Sequence, residues 1–217
     1  MNQEIVHLVD DDEGLRKAIS RLLRAEGYDV RAFASAAEFL SACRAQEIGC
    51  LLLDVLMPGL DGLELQRRLQ RSGATVPIVF LTGHGDIAMT VSAIKAGAID
   101  FLTKPAEDAD LLRAVRNALD YSAAIREERN EILLIATRYG QLTRREREVL
   151  EGVAVGKPNK VIASELGICE QTVKVHRGRV MEKMGVESLA DLVHDFDRLN
   201  ANRRATRVLP GTDDFSW

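Results

Sequence analysis

Five times within residues 1–120 the sequence passes from a short apolar run into a stretch with helical spacing, and this alternation constrains the fold more than any other feature. Ile5-Val6-His7-Leu8-Val9 is nearly all apolar, as expected of a strand buried on both faces. Leu15, Ala18, Ile19, Leu22 and Leu23 follow at helical spacing, and Gly27 ends that helix. Val30 to Phe33 reads as a strand, and Ser35-x-x-Glu38 opens a helix as a capping box. Leu51-Leu52-Leu53 predicts a strand followed by a helix near Gly62 to Arg71, and Ile78 to Leu81 a strand followed by a helix near Ile87 to Ala96. Ala98 to Leu102 is the last strand candidate, with a helix from about Glu107. Five β-then-α units predict an α/β fold, a doubly wound five-stranded parallel sheet with helices on both faces.

The last of these helices continues through Arg126-Glu127-Glu128-Arg129 to about Thr137, so residues 121–140 read as a helical linker. From Gln141 onward the pattern is purely helical, which predicts an all-α domain over 141–200. Residues 201–217 are Arg-, Gly- and Asp-rich with Pro210 and are expected to fray. The longest apolar stretches, such as Ile132 to Ala136, fall far short of the roughly 18–20 residues a bilayer span needs, and the start lacks the pattern of a signal peptide. Neither a spanning nor a secreted protein is expected. Cys43, Cys50 and Cys169 form no Cys-x-x-Cys pair and read as free thiols in a reducing cytoplasm. The net charge of −4 hides an asymmetry: residues 1–120 hold 13 Lys/Arg against 18 Asp/Glu, whereas 157–183 hold 6 against 3. A polyanion-binding surface is therefore sought in the second part.

In a parallel sheet, ligands bind at the carboxyl ends of the strands. Those ends carry Asp10-Asp11-Asp12 after the first strand, Asp54 after the third, Thr82 after the fourth and Lys104-Pro105 after the fifth. Clustered carboxylates repel, and hard oxygen ligands suit Mg²⁺, which leaves coordination sites for phosphate oxygens. A hydroxyl and an ammonium opposite the metal are what a phosphoryl group requires. The nucleophile would then be a carboxylate, and Asp54 on the central strand is the best candidate. Singly, each of these residues reads equally well as a helix cap or a turn; the weight lies in their order along the chain. His7 reads as a packed histidine rather than a phosphoryl carrier.

Val9-Asp10-Asp11, Asp54 with Met57-Pro58-Gly59 and Asp61-Gly62, Thr82-Gly83 and Lys104-Pro105 resemble the receiver domain of two-component response regulators over about residues 4–120. The resemblance implies that Asp54 accepts a phosphoryl group from a sensor histidine kinase. It implies that Asp10, Asp11, Asp54 and the backbone carbonyl of Leu56 surround Mg²⁺, and that Thr82 and Lys104 bind the phosphoryl oxygens. Phe101 matches the switch aromatic that turns inward with the threonine, and the Lys104-Pro105 bond is expected to be cis. Asp12 is treated as peripheral. Ala106 stands where many relatives carry Phe. Leu56 cannot hydrogen-bond an attacking water, which implies slow self-dephosphorylation unless His84 supplies that contact.

In the second part, Leu142-Thr143-x-x-Glu146 is a capping box opening a helix to about Val155. Asn159 is expected to cap the next helix, with Val161, Ile162, Ala163 and Leu166 inward. Ala163, Gly167 and Val173 have helix-turn-helix spacing, although a generic helical hairpin has it too. The third helix offers Lys174, His176, Arg177, Arg179 and Lys183 on its outer face, with Lys160 on the helix before it. A fourth helix begins at Ser188 and carries Leu189, Leu192, Val193 and Phe196.

Leu142-Thr143-x-Arg145-Glu146, Asn159-Lys160-x-Ile162-Ala163, Leu166-Gly167-Ile168, Thr172-Val173-Lys174-x-His176 and Met184-Gly185-Val186 resemble the LuxR-type DNA-binding domain over about 138–199. The whole chain is thus similar to response regulators of the NarL/FixJ class, on the FixJ-like side. The resemblance implies double-stranded promoter DNA as a partner, read chiefly through Lys174 and Val175, with Lys160, Thr172, His176, Arg177 and Arg179 as further DNA contacts. Gly178 occupies a position where some relatives place a base-reading side chain. Phosphorylation is expected to release the output domain, to promote a homodimer, or both, and RNA polymerase is an expected partner. Two rivals are weaker. An aspartyl phosphatase would carry a second Asp where Leu56 stands, and a receiver serving only dimerisation would not need the full set Asp10, Asp11, Asp54, Thr82 and Lys104.

Overall fold

The computed structural model describes residues 5–42, 49–83, 91 and 93–208, the side chains of 205–208 excepted. The strands are β1 (Ile5–Val9), β2 (Asp29–Phe33), β3 (Cys50–Asp54), β4 (Ile78–Thr82) and β5 (Asp100–Thr103). They form one parallel sheet in the order β2-β1-β3-β4-β5. The described helices are α1 (Glu13–Ala25), α2 (Ala36–Ala42), α3 (Gly62–Arg71), α4 (Asp108–Gly140), α5 (Arg144–Ala154), α6 (Asn159–Leu166), α7 (Glu170–Met184) and α8 (Leu189–Val208). The helix expected near Ile87 to Ala96, along with His84 and Cys43, falls largely or wholly outside the described residues. Among those residues no helix is long and apolar enough to cross a membrane.

Successive strand residues point to opposite faces, so each run fills two cores. Val9, Phe33, Leu51, Leu53 and Phe80 pack with Phe39 of α2 and with Leu65 and Leu69 of α3. Val6, Leu8, Leu52, Val79 and Leu81 pack on the other face with Ile19 and Leu23 of α1 and with Leu111, Val115 and Leu119 of α4. His7 is wholly buried, its ring stacked against Phe33 at 5.9 Å, as a packing residue would be. All strands are parallel, but the order in which they are added to the sheet changes direction between β1 and β3, which sets the carboxylates at the ends of those two strands side by side.

The chain divides into two compact units, the boundary falling between Arg126 and Glu127 inside α4. In the second unit, α5 opens with the expected capping box: Thr143 Oγ1 accepts from Glu146 N–H, and Glu146 accepts from Thr143 N–H. α6 and α7 are joined through Gly167 at φ 65°, a left-handed turn that suits glycine. Ile162, Ala163, Val173, Val180, Met184, Leu192 and Phe196 form its core with Tyr139.

The structure differs from four local expectations. Pro158, not Asn159, precedes α6 as its cap residue; Asn159 is the first helical residue, and its Oδ1 accepts a hydrogen bond from Arg177 at 2.7 Å. Val161, expected to face inward, is exposed, because helical rotation carries it off the packed face. Lys183 turns back to Glu146 at 2.7 Å instead of standing on the outer face of α7. The segment expected to fray is helical as far as Val208: nothing between Ala201 and Val208 breaks a helix, the first proline comes at 210, and the Arg203 guanidinium lies 4.6 Å over the Tyr139 ring.

Burial alone would raise the Glu146 carboxyl, but the Lys183 ammonium and the Thr143 cap hold it down to about 2. The unfolded carboxyl sits near 4.5, so this depressed value contributes stability above pH 4.5 that is lost as the pH falls towards 2. Glu146→Gln is expected to cost the second unit about 2–3 kcal/mol at neutral pH and to flatten its acid titration in that window. Thermal unfolding followed against pH reads both effects; an unchanged pH profile would contradict the pairing.

Candidate functional site

At the carboxyl edge of the sheet, Asp10 follows β1, Asp54 ends β3 and Thr82 ends β4, all buried, and the loop after β5 brings in Lys104. The Lys104 ammonium lies 2.6 Å from Asp10 Oδ2 and 2.8 Å from Asp54 Oδ2. Its backbone N–H donates to the Thr82 carbonyl at 2.6 Å, and the Lys104-Pro105 bond is cis. Asp11 is exposed, yet one carboxylate oxygen from each of Asp10, Asp11 and Asp54 falls within 4.8 Å of the others. Asp12 is occupied as the cap of α1, accepting from Leu15 N–H at 3.0 Å, which holds its carboxyl below the ordinary range.

Two buried carboxylates share one ammonium, and the carboxylate of the exposed Asp11 lies beside them. Burial pushes the Asp54 carboxyl above its usual value; Lys104 opposes this, and the neighbouring Asp10 charge adds to it. Burial would lower the Lys104 ammonium, but the Asp10 and Asp54 carboxylates outweigh it and raise it. Asp10 Oδ2 is shielded from solvent and, apart from that ammonium, has no hydrogen bond of good geometry among the described residues. An all-oxygen donor set with surplus negative charge and an under-satisfied buried oxygen fits a small hard divalent cation.

The second unit presents a different surface. Val173, Val180 and Met184 bury one side of α7. Lys174, Val175 and Arg179 are exposed on the opposite side, Thr172 is partly buried beside them, and Lys160 of α6 is exposed. Cations flanking an exposed helix that follows a helix-turn-helix crossing suit phosphate contacts on either side of a major groove.

The description "response regulator receiver domain" fits residues 6–116, and "bacterial regulatory proteins, luxR family" fits residues 140–196. The chain belongs to the NarL/FixJ class of response regulators. It is 46% identical over 197 residues to the response regulator protein TmoT of Ectopseudomonas mendocina, covering 91% of this chain and 90% of that one. It is 43% identical over 188 residues to the transcriptional regulatory protein FixJ of Azorhizobium caulinodans, covering 87% and 89%. Among solved structures it is similar to the response regulator StyR, with a TM-score of 0.80 and 46% identity over 90% of this chain and 99% of that one. Full-length FixJ from B. japonicum gives 0.55 and 37% over 93% and 99%.

The receiver therefore brings Asp10, Asp11, Asp54 and Lys104 to one point, with Thr82 and the Leu56 backbone at its edge; Leu56 N–H donates to Asp54 Oδ1 at 3.3 Å. Phe101 is partly buried, its ring 6.1 Å from that of Phe80. On α7, Arg177 and His176 stand nearer the packed side than Lys174 and Arg179 do. Arg177 spends one donor on Asn159, and among the described residues His176 Nδ1 is buried without a hydrogen-bond partner. Gln171 escaped the sequence reading: it is exposed four residues before Val175, on the centre line of the outward face. The i, i+4 spacing from Val175 is the signal for it in the sequence.

Proposed function

We propose that Asp54 is the phosphoacceptor of this regulator and that its phosphorylation controls how tightly α7 and its neighbours hold promoter DNA. The observation that carries this reading is the single Lys104 ammonium set between the buried carboxylates of Asp10 and Asp54, with Asp11 alongside. The donor is a phosphohistidine of a sensor histidine kinase. An Asp54 oxygen attacks phosphorus, the P–N bond breaks, and the imidazole nitrogen leaves with its electron pair and takes a proton from solvent. The product is an aspartyl phosphate. Mg²⁺ held by Asp10, Asp11, Asp54 and the Leu56 carbonyl would neutralise the phosphoryl oxygens. Lys104 exchanges its carboxylate partners for a phosphoryl oxygen, and Thr82 donates its hydroxyl to another. Phe101 follows Thr82 inward, altering the surface beside β5.

That change promotes a homodimer, which doubles the phosphate contacts and places two recognition helices on one DNA face. Lys160, Thr172, Lys174, Val175, His176, Arg177 and Arg179 make up the DNA surface, and RNA polymerase is the recruited machinery. The chain turns over no substrate beyond its own phosphoryl transfer and hydrolysis, and the cytoplasm is where promoter and kinase are both available. The test is a small acyl-phosphate donor with and without Mg²⁺, the modified peptide being located afterwards. Mg²⁺-dependent label on Asp54 supports the reading; label elsewhere, or none, overturns it.

Leu56 is 54% exposed at the mouth of the site and offers no polar group to a water attacking the aspartyl phosphate. Leu56→Asn is expected to shorten the lifetime of the phosphorylated protein several-fold. Equal decay of the two proteins would remove that idea.

A further inference from the structure

Gly178 lies in the middle of α7, where glycine costs stability relative to alanine. The other glycines of the described helices sit at helix ends or, like Gly152 against Ile162, have a neighbour that leaves no space for a Cβ. Gly178 has a negative φ and nothing within 4 Å of where its Cβ would stand. Among the described residues it is the one glycine inside a helix, away from its ends, that nothing in the chain's own packing requires. An alanine fits there without strain, and its methyl would stand in open space outside the protein.

The helical period shows what borders that space. Gln171, Val175, Gly178 and Glu182 run down the centre of the outward face, opposite Val173, Val180 and Met184. Lys174 and Arg179 flank this line, and both are exposed. Val175 is 46% exposed. The rim is cationic, and the middle of the line, between Gln171 and Glu182, is an aliphatic side chain beside bare backbone. A rim of this kind suits phosphates, but the centre offers no donor or acceptor side chain at Val175 or Gly178. The one apolar feature a base presents in the major groove is the thymine 5-methyl group. Glu182, one turn further, repels phosphate and bounds the contact on that side.

We infer that Gly178 is the point of closest approach of α7 to DNA, and that its backbone and Val175 together receive a thymine methyl. This rests on the DNA reading above. The test uses the full chain treated with a phosphodonor and Mg²⁺ to select duplexes from a random-sequence library. Each thymine of the selected site is then replaced by uracil, which removes only the methyl. Binding is measured at fixed salt for the wild type, Val175→Ala and Gly178→Ala. One thymine per half-site is expected to lose about fourfold in affinity on replacement, the worth of one buried methyl. The loss disappears in Val175→Ala. Gly178→Ala is expected to melt about 2–6 °C higher yet bind the selected duplex at least tenfold more weakly, with an unchanged salt slope because phosphate contacts persist. Wild-type affinity in Gly178→Ala, or tolerance of uracil at every position, overturns the inference. Enrichment of no sequence at all defeats the DNA reading itself, and this inference with it.

Discussion

Asp54→Asn is expected to abolish the effect of phosphodonor on DNA binding while leaving the receiver at least as stable as before. The two halves of that expectation come from different physics. Asparagine fills the same space but cannot form an acyl phosphate, so the ratio of DNA affinities with and without donor falls to one. Stability follows from the sign of the shift at Asp54. Its carboxyl is raised in the folded protein, chiefly by burial, so its contribution is fully present only while it is protonated and is lost as the pH rises through the folded value. At neutral pH without Mg²⁺ the ionised group therefore weakens the fold. A neutral isostere removes that penalty and leaves Lys104 with Asp10 at 2.6 Å. Thermal unfolding beside the binding assay separates the outcomes. A variant that keeps its donor response shows that Asp54 is not the acceptor, and one that melts far below the wild type shows that the cluster is structural.

Gly62→Ala carries the second large effect. Gly62 opens α3, and its N–H donates to the Val55 carbonyl at 3.0 Å, so the chain after β3 doubles back on itself. A Cβ at this position would lie 2.2 Å from the Asp54 carbonyl oxygen and 3.1 Å from the Val55 Cα. Both are backbone atoms and cannot rotate away. Accommodating the methyl means moving either α3, whose Leu65 and Leu69 are packed in the core, or the end of β3 that aims Asp54. The expected cost is about 3 kcal/mol, or roughly 10 °C in the melting temperature of the receiver. Phosphoryl uptake should slow as well, because the displaced segment carries both Asp54 and the Leu56 carbonyl. Calorimetry and the rate of donor uptake read the two effects; wild-type values in both would show that α3 is not seated this tightly.

The period of the apolar residues was enough for most of the described elements of the receiver. Ile5–Val9 and Gly62–Arg71 fall where the sequence placed them, because a strand buried on both faces and a helix with one apolar side announce themselves locally. The carboxyl ends of those strands then pointed to the candidate site, since parallel topology fixes which ends face a ligand. Pairing across long separations was not legible. Lys183 and Glu146 stand 37 residues apart, and a lysine on a basic helix reads as solvent-facing until its partner's position is known. Arg177 and Asn159 are hidden in the same way, and so is the tight seat of Gly62 beneath Asp54. The extension of α8 to Val208 escaped because composition reports solvation, not whether Arg203 finds a ring to cover.

The most direct measurement of the central claim is a DNA-binding titration of the full chain on one selected duplex at two salt concentrations, with Mg²⁺ and with or without phosphodonor. Coupling between Asp54 and α7 predicts tighter binding with donor and a steeper fall with salt, as expected when two recognition helices neutralise more phosphates than one. Identical affinities and salt slopes in both states would contradict it.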